Sequence, residues 1–286
     1  MVIAFDSETD LFGPGYKAPR AACWTWQHLG LEPRIIHAAD AEPTLREWLQ
    51  SDDLLVGQNV AYDTAVMIAN YPRLTPLVFA KYDADQITCT KLREQLCDIA
   101  LGRFRGEVGA DGEWHARGYD LSSLSHRYRG VRLEKDEWRL RYGEYLDTPL
   151  SEWPAGAREY PLLDATATLE VYLGQEQALT AIAPDVFADQ FRQARAQFAL
   201  YLTTCWGLRA DADRVEAFAR IAEARMHELQ DELTAAGLVH VDGSADTKRA
   251  MGAMSEACAE LGIEPILTKG GKVSLAAEAC ARVSPQ

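Results

Sequence analysis

An α/β fold followed by an all-helical segment is what this sequence predicts, on three observations. Short apolar runs alternate with helix-periodic stretches through the first 180 residues, the pattern of a sheet layered against helices. From Pro184 onward only helical spacing remains: Phe187, Phe191, Ala194, Phe198 and Leu202 recur in one stretch, and Val215, Phe218, Ala222, Met226, Leu229 and Leu233 in the next. The composition, 48% hydrophobic and 25% charged over 286 residues, is that of a soluble globular chain with room for one large or two ordinary domains. We therefore expect an α/β domain over 1–180 and a helical region over 181–286.

The first strand is Val2–Asp10, reading VIAFDSETD. Apolar residues lead in, and Asp6 and Glu8 then fall two apart, on one face of the strand. At ~4 Å and an effective dielectric of about 20, like charges repel by roughly 4 kcal/mol. A buried pair of carboxylates therefore calls for compensation, most often by a divalent cation. Ser7 faces the other way and is expected to be nearly silent on substitution. After a Gly/Pro loop at 11–19, Ala21–Gln27 and Pro33–Ala38 read as strands. Ala41–Gln50 reads as a helix with Leu45, Trp48 and Leu49 on one side. Leu54–Val60 is a buried strand running into a turn, and Tyr62–Asn70 is a helix stopped near Pro72.

Ile87–Leu101 begins β-like and becomes helical. Residues 102–118 lack periodicity and are expected to form a mobile surface insertion. Leu121–Arg129 and Lys135–Leu146 read as short helical segments, and a long helix follows around Tyr160–Gln177. The helix from about Asp211 to Leu238 would be ~42 Å long at 1.5 Å per residue, with an apolar stripe suited to an antiparallel helix pair.

Net charge is −14, of which residues 181–286, with 11 Lys+Arg and 15 Asp+Glu, contribute −4 and residues 1–180 the other −10. A broad electrostatic nucleic-acid binder would be basic. Any nucleic acid must be gripped locally, or through metal ions that neutralise acidic residues. The six cysteines form no C-x-x-C pair, so neither a zinc site nor a disulfide framework is suggested. No secretory leader and no membrane span is read, and the expected location is cytoplasmic.

Two further motifs carry chemistry. GQNVAYD places Asn59 and Asp63 four apart across a strand-to-helix turn, and REYPLLDATATLEVY places Tyr160 and Asp164 four apart on one helix face. The order is D-x-E on strand one, N-x-x-x-D after a middle strand, and Y-x-x-x-D on a late helix. In this order and in these contexts the set resembles the DEDD superfamily of 3′→5′ exonucleases, in the subclass with a tyrosine in its third motif. Its nearest likeness is the proofreading domain of family A (Klenow-type, phage included) DNA polymerases, where G-Q-N-x-x-Y-D is a familiar second motif.

The resemblance covers about residues 1–180 and implies a ribonuclease H-like fold, a mixed sheet with helices on both sides. It implies that Asp6, Glu8, Asp63 and Asp164 are the four acidic positions that hold two Mg²⁺ or Mn²⁺ ions, with Asp6 bridging them. It further implies that Tyr160 positions the attacking water, and that Asn59 and Tyr62 shape the site. Leu11 and Phe12, just beyond the first motif, are candidate wedges for a frayed 3′ end. The activity implied is metal-dependent release of nucleoside 5′-monophosphates from single-stranded or frayed DNA 3′ ends during proofreading. Two departures stand out. Pro161 follows Tyr160, and since proline is tolerated in a first helical turn it places the helix start near Tyr160. The segment DQITCT lacks a D-T pair after the second motif.

His126, Arg127, Arg129 and Arg132 form a cationic cluster, either a phosphate contact or a solvated helix face. Residues 185–286 also resemble family A polymerases, in the stretch leading to and including the thumb: TTCWGLRADADRVEAF matches the turn before a long helix, and DGSADTKRAM with LGIEPILTKGGKVS matches the thumb tip. There Lys269 and Lys272 flank Gly270–Gly271, a phosphate-backbone contact or a plain exposed turn. No palm carboxylate pair and no fingers helix is read, so this chain alone is not expected to polymerise. It is a fragment, one chain of a divided polymerase with a palm/fingers partner, or an exonuclease with a thumb remnant, in host cytoplasm if phage-encoded. Two alternatives compete with the DNA exonuclease: a 3′→5′ exoribonuclease, and a non-catalytic module supporting a separate polymerase subunit.

Overall fold

The computed structural model describes residues 1–13, 18–104, 106–108, 112–133, 137–179, 185–207, 209–240, 242–268 and 270–284. These form two compact units, Met1–Gly207 and Leu208–Gln286.

The first unit runs β1 (Val2–Thr9), β2 (Ala21–His28), β3 (Arg34–His37), α1 (Glu42–Gln50), β4 (Leu54–Gly57), α2 (Ala61–Asn70), α3 (Thr75–Asp83), β5 (Ile87–Cys89) and α4 (Thr90–Ala100). It continues with β6 (Gly106–Val108), β7 (Trp114–Ala116), α5 (Leu121–Arg129), α6 (Ala155–Leu179) and α7 (Gln190–Trp206). The main sheet has the order β3-β2-β1-β4-β5. β1 pairs antiparallel with β2 and parallel with β4, which makes it the central, most deeply covered strand. Alternation along β1 divides its side chains between two layers. Ile3 and Phe5 join the core built with α1, α2 and α3, while α6 lies against β1 and β2 on the other side.

Three expectations change here. The helix carrying Tyr160 begins at Ala155, not near Tyr160, so Pro161 sits inside it. A proline at that point removes the amide that would bond the carbonyl four residues earlier. That carbonyl, Ala157 O, instead accepts a hydrogen bond from the buried Tyr142 hydroxyl at 3.0 Å, so the helix continues without an orphaned acceptor. Part of the stretch expected to be an aperiodic mobile insertion is an antiparallel β6–β7 hairpin. It is tied to the body by Asp98, which accepts from Arg103 Nε (2.8 Å), Arg117 Nε (2.5 Å) and Tyr119 Oη (2.9 Å).

The first unit also extends past residue 180 to include α7. Ala194 and Phe198 are buried in the sheet's core, and the Phe198 ring stacks on Tyr82 with centroids 4.6 Å apart. The period-3.6 stripe on this helix was visible in the sequence, but a stripe does not say which layer it will cover.

The second unit contains α8 (Ala212–Ala235), α9 (Thr247–Glu260) and α10 (Ala277–Val283). The first two are N-capped by Asp211 and Asp246, each carboxylate accepting an amide three residues on. Met254 and Cys258 of α9 and Ala279 of α10 are buried. The stripe on α8 is not covered as a paired helix would be: no side chain of α8 is buried, and Phe218 is 72% exposed. Lys269 lies outside the described residues, and Lys272 is exposed. Among the described residues no helix is long and apolar enough to cross a membrane.

Candidate metal centre

The site is built at the C-terminal end of β1. Asp6 and Glu8 project from the face that α6 covers, and a register shift against β2 falls between Glu8 and Thr9, a common way to redirect a strand end. Asp164 comes from α6. One carboxylate oxygen from each of Asp6, Glu8 and Asp164 lies within 4.8 Å of the others.

Asp63 arrives from the opposite layer. It is in the first turn of α2, where the helix dipole favours an anion, and is 1% exposed. Its Oδ1 accepts from the Ser7 amide (3.1 Å) and the Ser7 hydroxyl (2.6 Å). Its Oδ2 is buried with no hydrogen-bond partner among the described residues. Ser7 does face away from Asp6 and Glu8, but that is the side on which α2 packs, so the expectation that Ser7 is silent is corrected: it holds the fourth carboxylate.

Burial and crowding oppose ionisation throughout. Asp6 is held well above the usual carboxylate range by burial, then by Asp63, Glu8 and Asp164. Glu8 is raised by burial, then by Asp164 and Asp63, with Arg139 working against the rise. Burial raises Asp63 to about 7 against the opposing hydrogen bonds from Ser7, and Asp164 to about 6 against those from Tyr160 and the field of Arg139. Cys23 stands opposite Glu8 in the sheet. Its thiol is pushed up by burial and by Glu8 and Asp6. The clustered donors of Asp6, Glu8 and Asp164 are carboxylate oxygens, and with the buried Asp63 Oδ2 they suit a divalent cation.

Tyr160 lies one turn before Asp164 and hydrogen-bonds it; burial, then Asp164, Glu8 and Asp6, push its phenol up, so it remains a neutral donor at neutral pH. Asn59 occupies the turn between β4 and α2 in the left-handed region, φ 61°. Tyr62 shares a 2.5 Å hydrogen bond with Thr9 Oγ1. The exposed Phe12 ring meets Tyr62 edge-on at 5.7 Å, and Leu11 beside it is also exposed. Every residue singled out from the three motifs therefore lies in or at the margin of one region. The cationic cluster does not join it intact, since Arg127 pairs with Glu94 at 2.6 Å and Arg129 pairs with Glu170. The residues missed from sequence are Ser7, Arg139 and Tyr142. Each acts through tertiary placement, and none carries a local signal.

No family model matches the sequence, and no curated protein matches it. Likeness is found to solved structures. The POL domain of Pol1 from M. smegmatis, in complex with DNA primer-template and dNTP, aligns with 98% of this chain over 41% of its own, at 15% identity and a TM-score of 0.58. Escherichia coli RNase D, an exoribonuclease involved in structured RNA processing, aligns with 71% of this chain over 45% of its own, at 16% identity and a TM-score of 0.45. The apo form of a nuclease aligns with 70% of this chain over 84% of its own, at 15% identity and a TM-score of 0.48. The chain thus spans less than half the length of the polymerase and RNase D chains. The mixed five-stranded sheet flanked by helices is ribonuclease H-like, and the chain shares its fold with the Pol1 domain.

Proposed function

We propose that this chain is a divalent-metal-dependent 3′→5′ exonuclease that releases nucleoside 5′-monophosphates from DNA ends, and that its C-terminal unit is a thumb-like segment of a family A-type polymerase. The observation that carries the reading is the convergence of Asp6, Glu8 and Asp164 from two chain segments, with Asp63, from a third and from the other layer of the sheet, near enough to raise both Asp6 and Glu8. The fold shared with a polymerase domain solved on DNA primer-template supports DNA over RNA as substrate.

Asp6, Glu8, Asp63 and Asp164 would hold a pair of Mg²⁺ or Mn²⁺ ions, which when bound supply Lewis acidity to a water and to the scissile phosphodiester. Asp6 is central, since the other three carboxylates all act on it or it on them. Ser7 fixes the free oxygen of Asp63 toward its task by occupying the other one. Tyr160, a neutral phenol, orients the attacking water by hydrogen bonding and does not take its proton. Asn59, Tyr62, Leu11 and Phe12 position the 3′-terminal nucleotide.

The test is hydrolysis of matched 5′-labelled DNA and RNA single strands with Mg²⁺ or Mn²⁺. Stepwise release of 5′-mononucleotides from DNA is expected, abolished by EDTA and reduced at least ~10²-fold in Asp6→Ala. Equal background cleavage by wild type and Asp6→Ala would refute the assignment, and a preference for RNA would move it to an exoribonuclease.

A further inference from the structure

The helix that extends the first unit beyond residue 180 reaches two of the motif residues directly. Gln197 and Tyr201 lie four apart on α7, hence on one face. Gln197 Nε2 donates to Asn59 Oδ1 at 3.1 Å. The Tyr201 ring meets the Tyr62 ring edge-on, with centroids 6.2 Å apart and planes at 82°. Tyr62 also meets Phe12, so three rings run contiguously from the loop after β1 through α2 to α7. None of the three is buried. Asn59 sits in the left-handed region, which asparagine tolerates better than most side chains, and Gln197 supplies a partner for its amide oxygen.

We propose that α7 is part of the strand-binding surface: Tyr201 offers a stacking face to the base next to the 3′-terminal one, and Gln197 is a positioning residue that holds Asn59. This rests on the nuclease reading. Base–aromatic stacking is sequence-tolerant, so the effect falls on strand affinity and not on base choice.

The test compares two substrates: a single-stranded oligodeoxynucleotide with 2-aminopurine next to its 3′ end, and the p-nitrophenyl ester of thymidine 5′-monophosphate, which has one base only. Tyr201→Leu is expected to raise KM about 10-fold on the oligonucleotide, leave its kcat within about two-fold, weaken the 2-aminopurine quench in Ca²⁺, and leave ester hydrolysis unchanged. Tyr201→Phe keeps the ring and should match wild type. Gln197→Ala, which leaves Asn59 without this donor, should raise KM on both substrates, since both place a 3′-terminal nucleotide beside Asn59. Equal losses on both substrates in Tyr201→Leu, wild-type KM and quench in Tyr201→Leu, or wild-type KM on both substrates in Gln197→Ala, overturn the proposal. A wild-type chain that cleaves neither substrate overturns the nuclease reading instead.

Discussion

Replacing Ser7 by alanine isolates one hydrogen bond at the centre of the acidic cluster. The hydroxyl donates to Asp63 Oδ1 at 2.6 Å, and the amide of the same residue donates to the same atom at 3.1 Å. Ser7→Ala deletes the shorter bond and keeps the longer. A hydrogen bond to a charged group contributes about 1.5–3 kcal/mol, roughly a 10- to 150-fold bias toward the ionised carboxylate. Asp63 already sits near 7 with both bonds in place, so losing one moves it further toward the protonated form, which cannot serve as a cation ligand. Removing the partner of a ligating group typically costs 10–100-fold in metal affinity, and we expect that range here. Calorimetric titration with Mn²⁺ at pH 7 reads the affinity without relying on turnover. A Mg²⁺ activation curve should shift its midpoint by the same factor and regain most of its maximum at saturation. Ser7→Thr keeps the hydroxyl and should fall between the two. A Ser7→Ala protein with wild-type Mn²⁺ affinity and an unshifted activation curve would refute the role assigned to this bond.

Metal-free protein should lose stability as pH rises. Asp63 and Asp164, raised to about 7 and about 6, keep protons that the unfolded chain releases near pH 4. Their contribution is full below that pH and is lost as pH climbs through 6 to 7. For Asp63 the loss is on the order of 4 kcal/mol, so Tm in EDTA should fall by up to about 10 °C between pH 4 and 8; Mg²⁺ should flatten the fall, and a profile already flat in EDTA would contradict it. Tyr142→Phe leaves Ala157 O buried without its donor and should cost about 1–3 kcal/mol in denaturant unfolding. Pro161→Ala restores an amide to that carbonyl, so in its background the Tyr142→Phe cost should shrink, and an additive cycle would count against the compensation. Asp98→Ala takes one carboxylate from Arg103, Arg117 and Tyr119 while Arg117 keeps Glu94 at 3.3 Å, with an expected cost of about 1.5–3 kcal/mol and faster amide exchange over 106–108 and 114–116; unchanged protection there would show that the hairpin is held by other contacts.

What could be read from the residues was what alternation and helical spacing encode directly. β1, β2, α1, the β5–α4 switch at Cys89–Thr90 and α5 fall close to their expected places because each has a local period and a local stop. Two of the three motifs were legible for the same reason: Asp6 with Glu8 and Tyr160 with Asp164 each share a face of a single element, whereas Asn59 and Asp63 straddle the turn into α2. The parts that were not legible involve a second element. Ser7 looked idle because a strand shows only that two faces exist, whereas its use depends on α2 covering one of them. Pro161 looked like a helix start because the donor that lets the helix run through it, Tyr142, lies in a short 3₁₀ turn (Tyr142–Tyr145) with no local tie to Ala157. The place of α7 follows the same logic. Its stripe was visible, but Phe198 stacking on Tyr82, Thr88 Oγ1 donating to Gln190 at 2.8 Å, and Gln197 reaching Asn59 are all pairings across a hundred residues or more. They bind the helix to α2, α3 and β5, the elements that carry and support Asp63. A cut at residue 180 would therefore uncover Tyr82, take the Phe198 ring away from Phe79 and remove a partner of Asn59, so the first unit has to be treated as extending through α7 in any attempt to express it alone.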